Sequence, residues 1–244
     1  MKTIRPLFAN SSSKVRCAVS TRIGGVSPPP LDLNLSYNVG DDKLNVEKNR
    51  KLFFGSLEIG LDRLAIPQQI HSNIVRRADK PGLYPSCDAL ITNAPGVYLC
   101  VTVADCLPLL VYDPARHAVA AVHAGWRGSS SQITARAVGA LCGEYGSSPE
   151  ELLVFIGPAA GVCCYEVGPD VARQFDPNCT ERRDGKVYLN LRAANLKYLA
   201  DSGVLRHNVE VSSQCTICEP STFHSFRREK DQSGRMMGVI GLAP

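Results

Sequence analysis

Residues 96–123 carry three apolar runs almost back to back: GVYLCVTVA (96–104), PLLVYD (108–113) and HAVAAVH (117–123). A strand with one face in water alternates apolar and polar residues, and these runs do not. Each therefore predicts a strand buried on both faces, so the chain must supply cover on two sides of the sheet. Other strand-like runs lie at 15–22, 65–71, 152–158, 186–191 and 209–214. Helical patterns lie between them. Residues 42–54 open on Asp42 as an N-cap and put Leu44, Lys48 and Leu52 on one face. Residues 130–142 turn Ile133, Ala137, Val138 and Leu141 inward. Residues 169–176 start at Pro169, and residues 192–201 stop before Gly203. The C-terminal TFHSFRREKDQSGRMMGVIGL reads as two strands around a Gln232-Ser233-Gly234 turn. Mixed strands and helices of this kind predict an α/β fold with a mixed sheet and helices outside it.

No repeat, low-complexity tract or linker divides the 244 residues, which predicts one domain over 1–244. A net charge of +4, scattered along the chain, is no footprint for nucleic acid. No apolar run reaches the ~18 residues of a membrane span. The opening MKTIRPLFANSSSK has no apolar core of a secretory signal, so a cytoplasmic location is expected. In that reducing compartment the ten cysteines are thiols rather than disulfides. Cys100 and Cys142 sit in apolar runs and behave as small hydrophobes.

The stretch VHAGWRGSSS (122–131) ends a buried strand with His123 and continues through Gly125 and Gly128 to a helix start. Amide donors at that start and the fork of Arg127 predict a seat for an anion such as phosphate. The alternative is a core histidine beside a packing tryptophan. VTVADCLPLLVYDP (101–114) puts Asp105-Cys106 between two strands, and the next strand returns to His123. PQQIHSN (67–73) ends a further strand with His71. Two imidazoles and one thiolate match a three-ligand zinc site with an open position, whose bound water ionises near neutral pH. Multicopper oxidation fits poorly, because the chain has five histidines in all. Cys215-Thr-Ile-Cys218 is a CxxC with no second such pair to complete a zinc ribbon, so its thiols are expected to pack under the site, with redox or metal use as the alternative. Cys163-Cys164-Tyr165-Glu166 is expected to form pocket wall. His117 and His207 are expected at the surface, and His224 is left open.

QQIHS, CDALIT, VTVADCLPLLVYDP, VHAGWRG, IGPAAGVCCYEVG and CTICEPSTFHSFRR followed by GRM, with TRIGGVS and NVGDD nearer the N-terminus, together resemble the YfiH/YlmD-type laccase-domain family, also called peptidoglycan editing factor. The likeness spans residues ~20 to ~240. Ile70, Ser72 and Ala160 depart from the pattern without touching a proposed ligand. The resemblance implies a layered α/β/β/α sandwich with mixed sheets, similar to a cysteine-hydrolase toxin fold. It implies zinc held by His71, Cys106 and His123, with copper as the alternative carried by the older polyphenol oxidase and laccase names. It implies phosphorolysis of adenosine, inosine and methylthioadenosine, and deamination of adenosine, with a nucleoside and phosphate as partners. On that reading Asp105 moves a proton, and Arg22, Arg50 and Arg127 reach phosphate or ribose; the alternatives are a turn or cap residue for Asp105 and solvated surface arginines for Arg22 and Arg50. Two other readings stand beside it: a cysteine hydrolase or amidase editing a peptidoglycan precursor, with Cys106 as nucleophile and His123 as base, and a binding module with a structural zinc. Oligomeric state is left open.

Overall fold

The computed structural model describes residues 1–11 and 13–244. The strands are, in chain order, β1 (Thr3–Ile4), β2 (Val15–Ser20), β3 (Leu64–Pro67), β4 (Val75–Arg77), β5 (Gly82–Tyr84), β6 (Ala89–Thr92), β7 (Tyr98–Val103), β8 (Leu107–Asp113), β9 (Ala118–Ala124), β10 (Leu153–Ile156), β11 (Glu166–Val167), β12 (Thr180–Arg183), β13 (Lys186–Leu189), β14 (Val209–Val211) and β15 (Met236–Leu242). The helices are α1 (Leu7–Ser11), α2 (Lys43–Gly55), α3 (Trp126–Ser130), α4 (Ile133–Tyr145), α5 (Pro169–Ala172), α6 (Leu191–Asp201) and α7 (Phe226–Glu229).

Two mixed six-stranded sheets run β1-β2-β15-β7-β3-β5 and β14-β10-β8-β9-β6-β4, with a small β11-β13-β12 sheet beside them. The period of two along each strand explains the layering. On β7, Leu99 and Val101 point between the large sheets and meet Leu110 and Tyr112 of β8 and Val119 and Ala121 of β9. The alternate residues Tyr98 and Cys100 point outward, under Phe53 and Phe54 of α2. On β8 and β9 the outward set, including Leu109, Val111, Ala120 and Val122, lies under Ile133, Ala137 and Leu141 of α4 and Ala194 and Leu199 of α6. Both faces of both central sheets are therefore dry, and the architecture is α/β/β/α. The unbroken apolar runs of β7, β8 and β9 predict this, because neither face could be left to water. No described helix is long and apolar enough to cross a membrane.

Several boundaries differ from expectation. The 65–71 run leaves its sheet after Pro67, and the chain continues as a loop that carries His71. The 130–142 helix starts at Ile133, after Gln132 in a left-handed conformation separates it from the one-turn α3. Helix α2 buries Val46, Asn49, Phe53 and Phe54 and turns Leu44 and Leu52 outward, because the aromatic pair brings more apolar area to the sheet. The segment expected at 169–176 is helical only over Pro169–Ala172. The C-terminal hairpin does not form. Ser225 caps a turn of helix at α7 by accepting from the Arg228 N–H, and only the apolar second half enters the sheet, as β15 between β2 and β7.

Candidate functional site

The first sheet hands the chain to the second between Val103 and Leu107. Asp105 makes that crossing in the left-handed region, at φ 82°, which an aspartate tolerates better than most residues. Its carbonyl accepts the Ala160 N–H. One carboxylate oxygen accepts the Thr216 hydroxyl at 2.6 Å, and the other accepts the Ser225 hydroxyl at 3.0 Å and the Arg227 N–H at 2.6 Å. Asp105 thus anchors the crossing to the C-terminal segment, and Cys106 emerges from it half-buried.

β9 pairs antiparallel with β8 and sets His123 opposite Pro108, next to Cys106. His123 is 3% exposed, a burial that demands a partner for each ring nitrogen it can supply. Asp88, fully buried at the head of β6, provides one: its Oδ1 lies 2.8 Å from His123 Nδ1. The same carboxylate accepts the backbone N–H groups of Ile70, His71 and Ser72 at 3.2, 3.0 and 2.6 Å, and the Ser72 hydroxyl at 2.8 Å. One buried charge therefore orients His123 and holds the loop that presents His71. Burial opposes ionisation of Asp88, but these donors outweigh it and bring its carboxyl down to about 2. His71 itself takes a left-handed φ of 57°. Its ring stands edge-on to that of His123, with centroids 4.9 Å apart.

Each of His71, Cys106 and His123 offers a ligand atom within 4.8 Å of the others. Burial works against the Cys106 thiolate, yet the positive field and hydrogen bonds of His123 and His71 pull its thiol down to about 6. Burial works against the His123 imidazolium too, and Cys106 and Asp88 outweigh it, which raises that histidine. A thiolate and two imidazoles brought this close, with Asp88 bound to one imidazole from behind, suit a divalent metal of zinc or copper type. The other histidines do not extend the set: His117 and His207 are exposed, and His224 is buried elsewhere, 3.9 Å from Glu229.

Gly125 closes the site on one side. A Cβ built there would stand 3.0 Å from Cys106 Sγ and 3.0 Å from His71 Nδ1. Gly125→Ala should therefore push two ligands apart and weaken metal binding by at least about tenfold, with the melting temperature little changed. Competition against a chelator of known affinity, read beside a thermal melt, checks this. Unaltered affinity would mean that the ligands have room to spare.

The ligands line a cavity of about 1160 Å³. Its walls hold four arginines, each over an aromatic ring that also faces the cavity: Arg50 over Tyr37 at 4.4 Å, Arg127 over Trp126 at 4.1 Å, Arg227 over Tyr165 at 5.2 Å and Arg235 over Phe226 at 5.5 Å. Stacking holds each guanidinium in place; Arg50 also donates through Nε to the Leu35 carbonyl, and Arg235 through one terminal nitrogen to the carbonyls of Ser233 and Gly234, so an anion meets their remaining N–H groups and those of Arg127 and Arg227. Lys230 adds a further cation, against Asp105 as the acidic side chain of the wall. The structure thus brings Asp105, Cys106, His71, His123, Arg50 and Arg127 into one cavity. Arg22, expected at phosphate or ribose, is not among the lining residues. Its guanidinium is taken up by Asp32 and Glu229 and by the carbonyls of Pro30 and Pro220. The anion seat also differs in form, because the helix that follows Gly125 is the single turn α3; side-chain cations, rather than a long helix start, supply the positive charge. Of Cys163-Cys164-Tyr165-Glu166, expected to form pocket wall, Tyr165 lines the cavity; Asp88, Arg227 and Arg235 went unassigned in the sequence, although CDALIT, FRR and GRM contain them.

The sequence family described as multi-copper polyphenol oxidoreductase laccase matches residues 16–243. A protein of Deinococcus radiodurans named purine nucleoside phosphorylase is 38% identical, over 97% of this chain and 93% of its own. A protein of an unknown prokaryotic organism named adenosine deaminase RL5 is 33% identical, over 83% of this chain and 84% of its own. The crystal structure of a Bacillus licheniformis hypothetical protein, YfiH, superposes with a TM-score of 0.91 at 32% identity, covering 96% of this chain and 94% of that one.

Proposed function

The chain belongs to the multi-copper polyphenol oxidoreductase laccase family, and from that premise we propose that it is a zinc-dependent purine nucleoside phosphorylase of the cytoplasm, acting on adenosine, inosine and methylthioadenosine, with adenosine deaminase activity as well. The observation that carries the reading is one cavity that joins a His/Cys/His ligand set to arginine-on-aromatic walls. Phosphorolysis joins a phosphate oxygen to the anomeric carbon of the ribose as the bond to the purine nitrogen breaks. The base leaves with the bonding electrons and takes up a proton. It therefore needs a seat for a dianion, a flat apolar surface for a purine and a polarising group between them.

Arg127 and Arg227, with the partly engaged Arg50 and Arg235, supply the seat as cations whose remaining N–H groups match phosphate oxygens. Tyr37, Trp126, Tyr165 and Phe226 supply π-faces for a purine. His71, Cys106 and His123 would hold the metal, with Asp88 fixing the ring of His123. Bound there, zinc would supply Lewis-acid polarisation and lower the pKa of a water. Asp105 keeps Cys106 and the Arg227 backbone in register; a role in proton transfer belongs to this proposal as well, by its place on the wall. The deaminase activity is supported by the name of the relative that carries it.

Base release from inosine should depend on inorganic phosphate and yield ribose 1-phosphate with hypoxanthine. Free ribose formed at the same rate in phosphate-free buffer would remove the phosphate seat from the mechanism. One observation favours a second reading: Cys106, His123 and Asp88 stand in the order of nucleophile, base and orienting carboxylate. In a cysteine hydrolase, Cys106 of the metal-loaded protein would be labelled quickly by iodoacetamide and activity would survive chelation. In the zinc enzyme the thiol is shielded until the metal is removed.

A further inference from the structure

Cys163 and Cys164 lie in the loop between β10 and β11, and Cys215 and Cys218 lie in the turn after β14. In the sequence they look unrelated, because two adjacent thiols do not resemble half of a zinc ribbon. The fold brings them together. Their four sulfurs lie within 4.8 Å of one another, with Cys218 Sγ 3.4 Å from Cys163 Sγ and 3.1 Å from Cys164 Sγ. None of the four is in a disulfide.

We propose that Cys163, Cys164, Cys215 and Cys218 form a tetrathiolate site for a single zinc ion, distinct from the His71–Cys106–His123 centre. Three features carry the assignment. First, the spacing suits one ion: a tetrahedral zinc with Zn–S of ~2.3 Å sets its sulfurs ~3.8 Å apart, whereas a cluster of several irons spreads its thiolates wider. Second, the Cys215–Cys218 turn directs backbone donors at sulfur. The Gly161 N–H donates to Cys215 Sγ at 3.2 Å, and the N–H groups of Ile217 and Cys218 do so as well. Amides aimed at a sulfur stabilise a thiolate, and a neutral packing thiol has no need of them. Third, the surroundings are cationic. Arg183 donates to the carbonyls of Val162 and Cys163, Arg192 to those of Ala159 and Gln214, and Arg228 to those of Thr216 and Ile217.

Four thiols lose four protons to solvent as one Zn²⁺ binds, and the resulting net charge of −2 lies beside Arg183, Arg192 and Arg228, the last of which is also paired to Glu229. Without a cation, four thiolates this close would repel one another. The ion would tie the 157–165 loop to the 212–228 segment. Tyr165 follows Cys164 directly, and Thr216 inside the cysteine turn holds the Asp105 carboxylate, so the clamp would set one wall of the cavity.

The test counts metal on the full chain, purified without added chelator, by elemental analysis. The wild type should carry about two zinc ions, and Cys106→Ala and a Cys215→Ser/Cys218→Ser double variant about one each. The two variants separate the sites: a count that falls only in the cysteine-turn variant supports this site and removes the His71–Cys106–His123 one, and the reverse pattern does the opposite. Because the double variant could fail to fold, mass mapping on the wild type provides a second reading. The four thiols should resist alkylation as purified and become labelled after chelation. Free labelling in the loaded protein, a Cys164–Cys218 disulfide, or iron with inorganic sulfide in place of zinc would each overturn the proposal.

Discussion

Cys106→Ala should strip the metal from the cavity and lower phosphorolysis at least about 100-fold, while far-ultraviolet circular dichroism and the melting transition stay close to wild type. The size follows from what the sulfur does. It is the one anionic ligand beside two imidazoles, and it answers the charge of the ion directly. Loss of a group behind a ligand already costs 10–100-fold in affinity or activity, so loss of the ligand itself should cost no less. The fold should tolerate the change, because Cys106 is half-buried on a cavity wall and its turn is anchored by Asp105, which is retained. The measurements are zinc content of the washed protein and phosphate-dependent release of hypoxanthine. Full zinc in a folded variant would place the catalytic metal elsewhere.

Asp88→Asn should be the more damaging change to the protein as a whole, although Asp88 lies outside the cavity lining. The native carboxylate accepts from three backbone N–H groups, one hydroxyl and one imidazole. An amide can accept at one oxygen only, and its NH₂ would face donors it cannot satisfy. The expected result is about 3 kcal/mol off the unfolding free energy, since a buried charge pair is broken inside a shared network. Metal affinity should fall about 10–100-fold, because His123 loses the partner that fixes its ring and the His71 loop loses its anchor. Denaturant titration of the metal-free protein isolates the first effect, and chelator competition isolates the second. A variant that unfolds like wild type yet binds metal weakly would mean that Asp88 tunes His123 alone.

The sequence is most legible where residue type and burial coincide. The runs that became β7, β8 and β9 name a two-faced interior in their own composition, and Cys106 and His123 sit at their ends. His71 is less legible, because a lone histidine in PQQIHSN has no local partner; its membership comes through resemblance rather than spacing. Asp88 is hidden for a related reason. It reads as a residue before a strand, and its role exists only once β6 pairs with β9 and the 70–72 loop folds over it. Arg22 shows the opposite error. A fork near a glycine pair looks available in the sequence, but Asp32, ten residues on, and Glu229, at the far end of the chain, take it. The C-terminal segment misled because its apolar half fits a strand and its charged half was carried along, whereas Ser225 and the Asp105 contacts stop the ladder there.

The three residues of the cavity centre come from positions 71, 106 and 123, on two loops and one strand that meet only after both large sheets have formed. A centre of that kind has a place in the order of folding. In a short zinc finger the ion organises a chain that would otherwise stay open. Here the loops to be closed before all three ligands meet are long, and non-local pairing of strands is slow. A metal bound there as proposed would arrive at a chain that is already folded, and its binding would slow unfolding far more than it speeds folding. If zinc fills the site as proposed, a chain made without it would be folded and inactive and could be recharged without a chaperone.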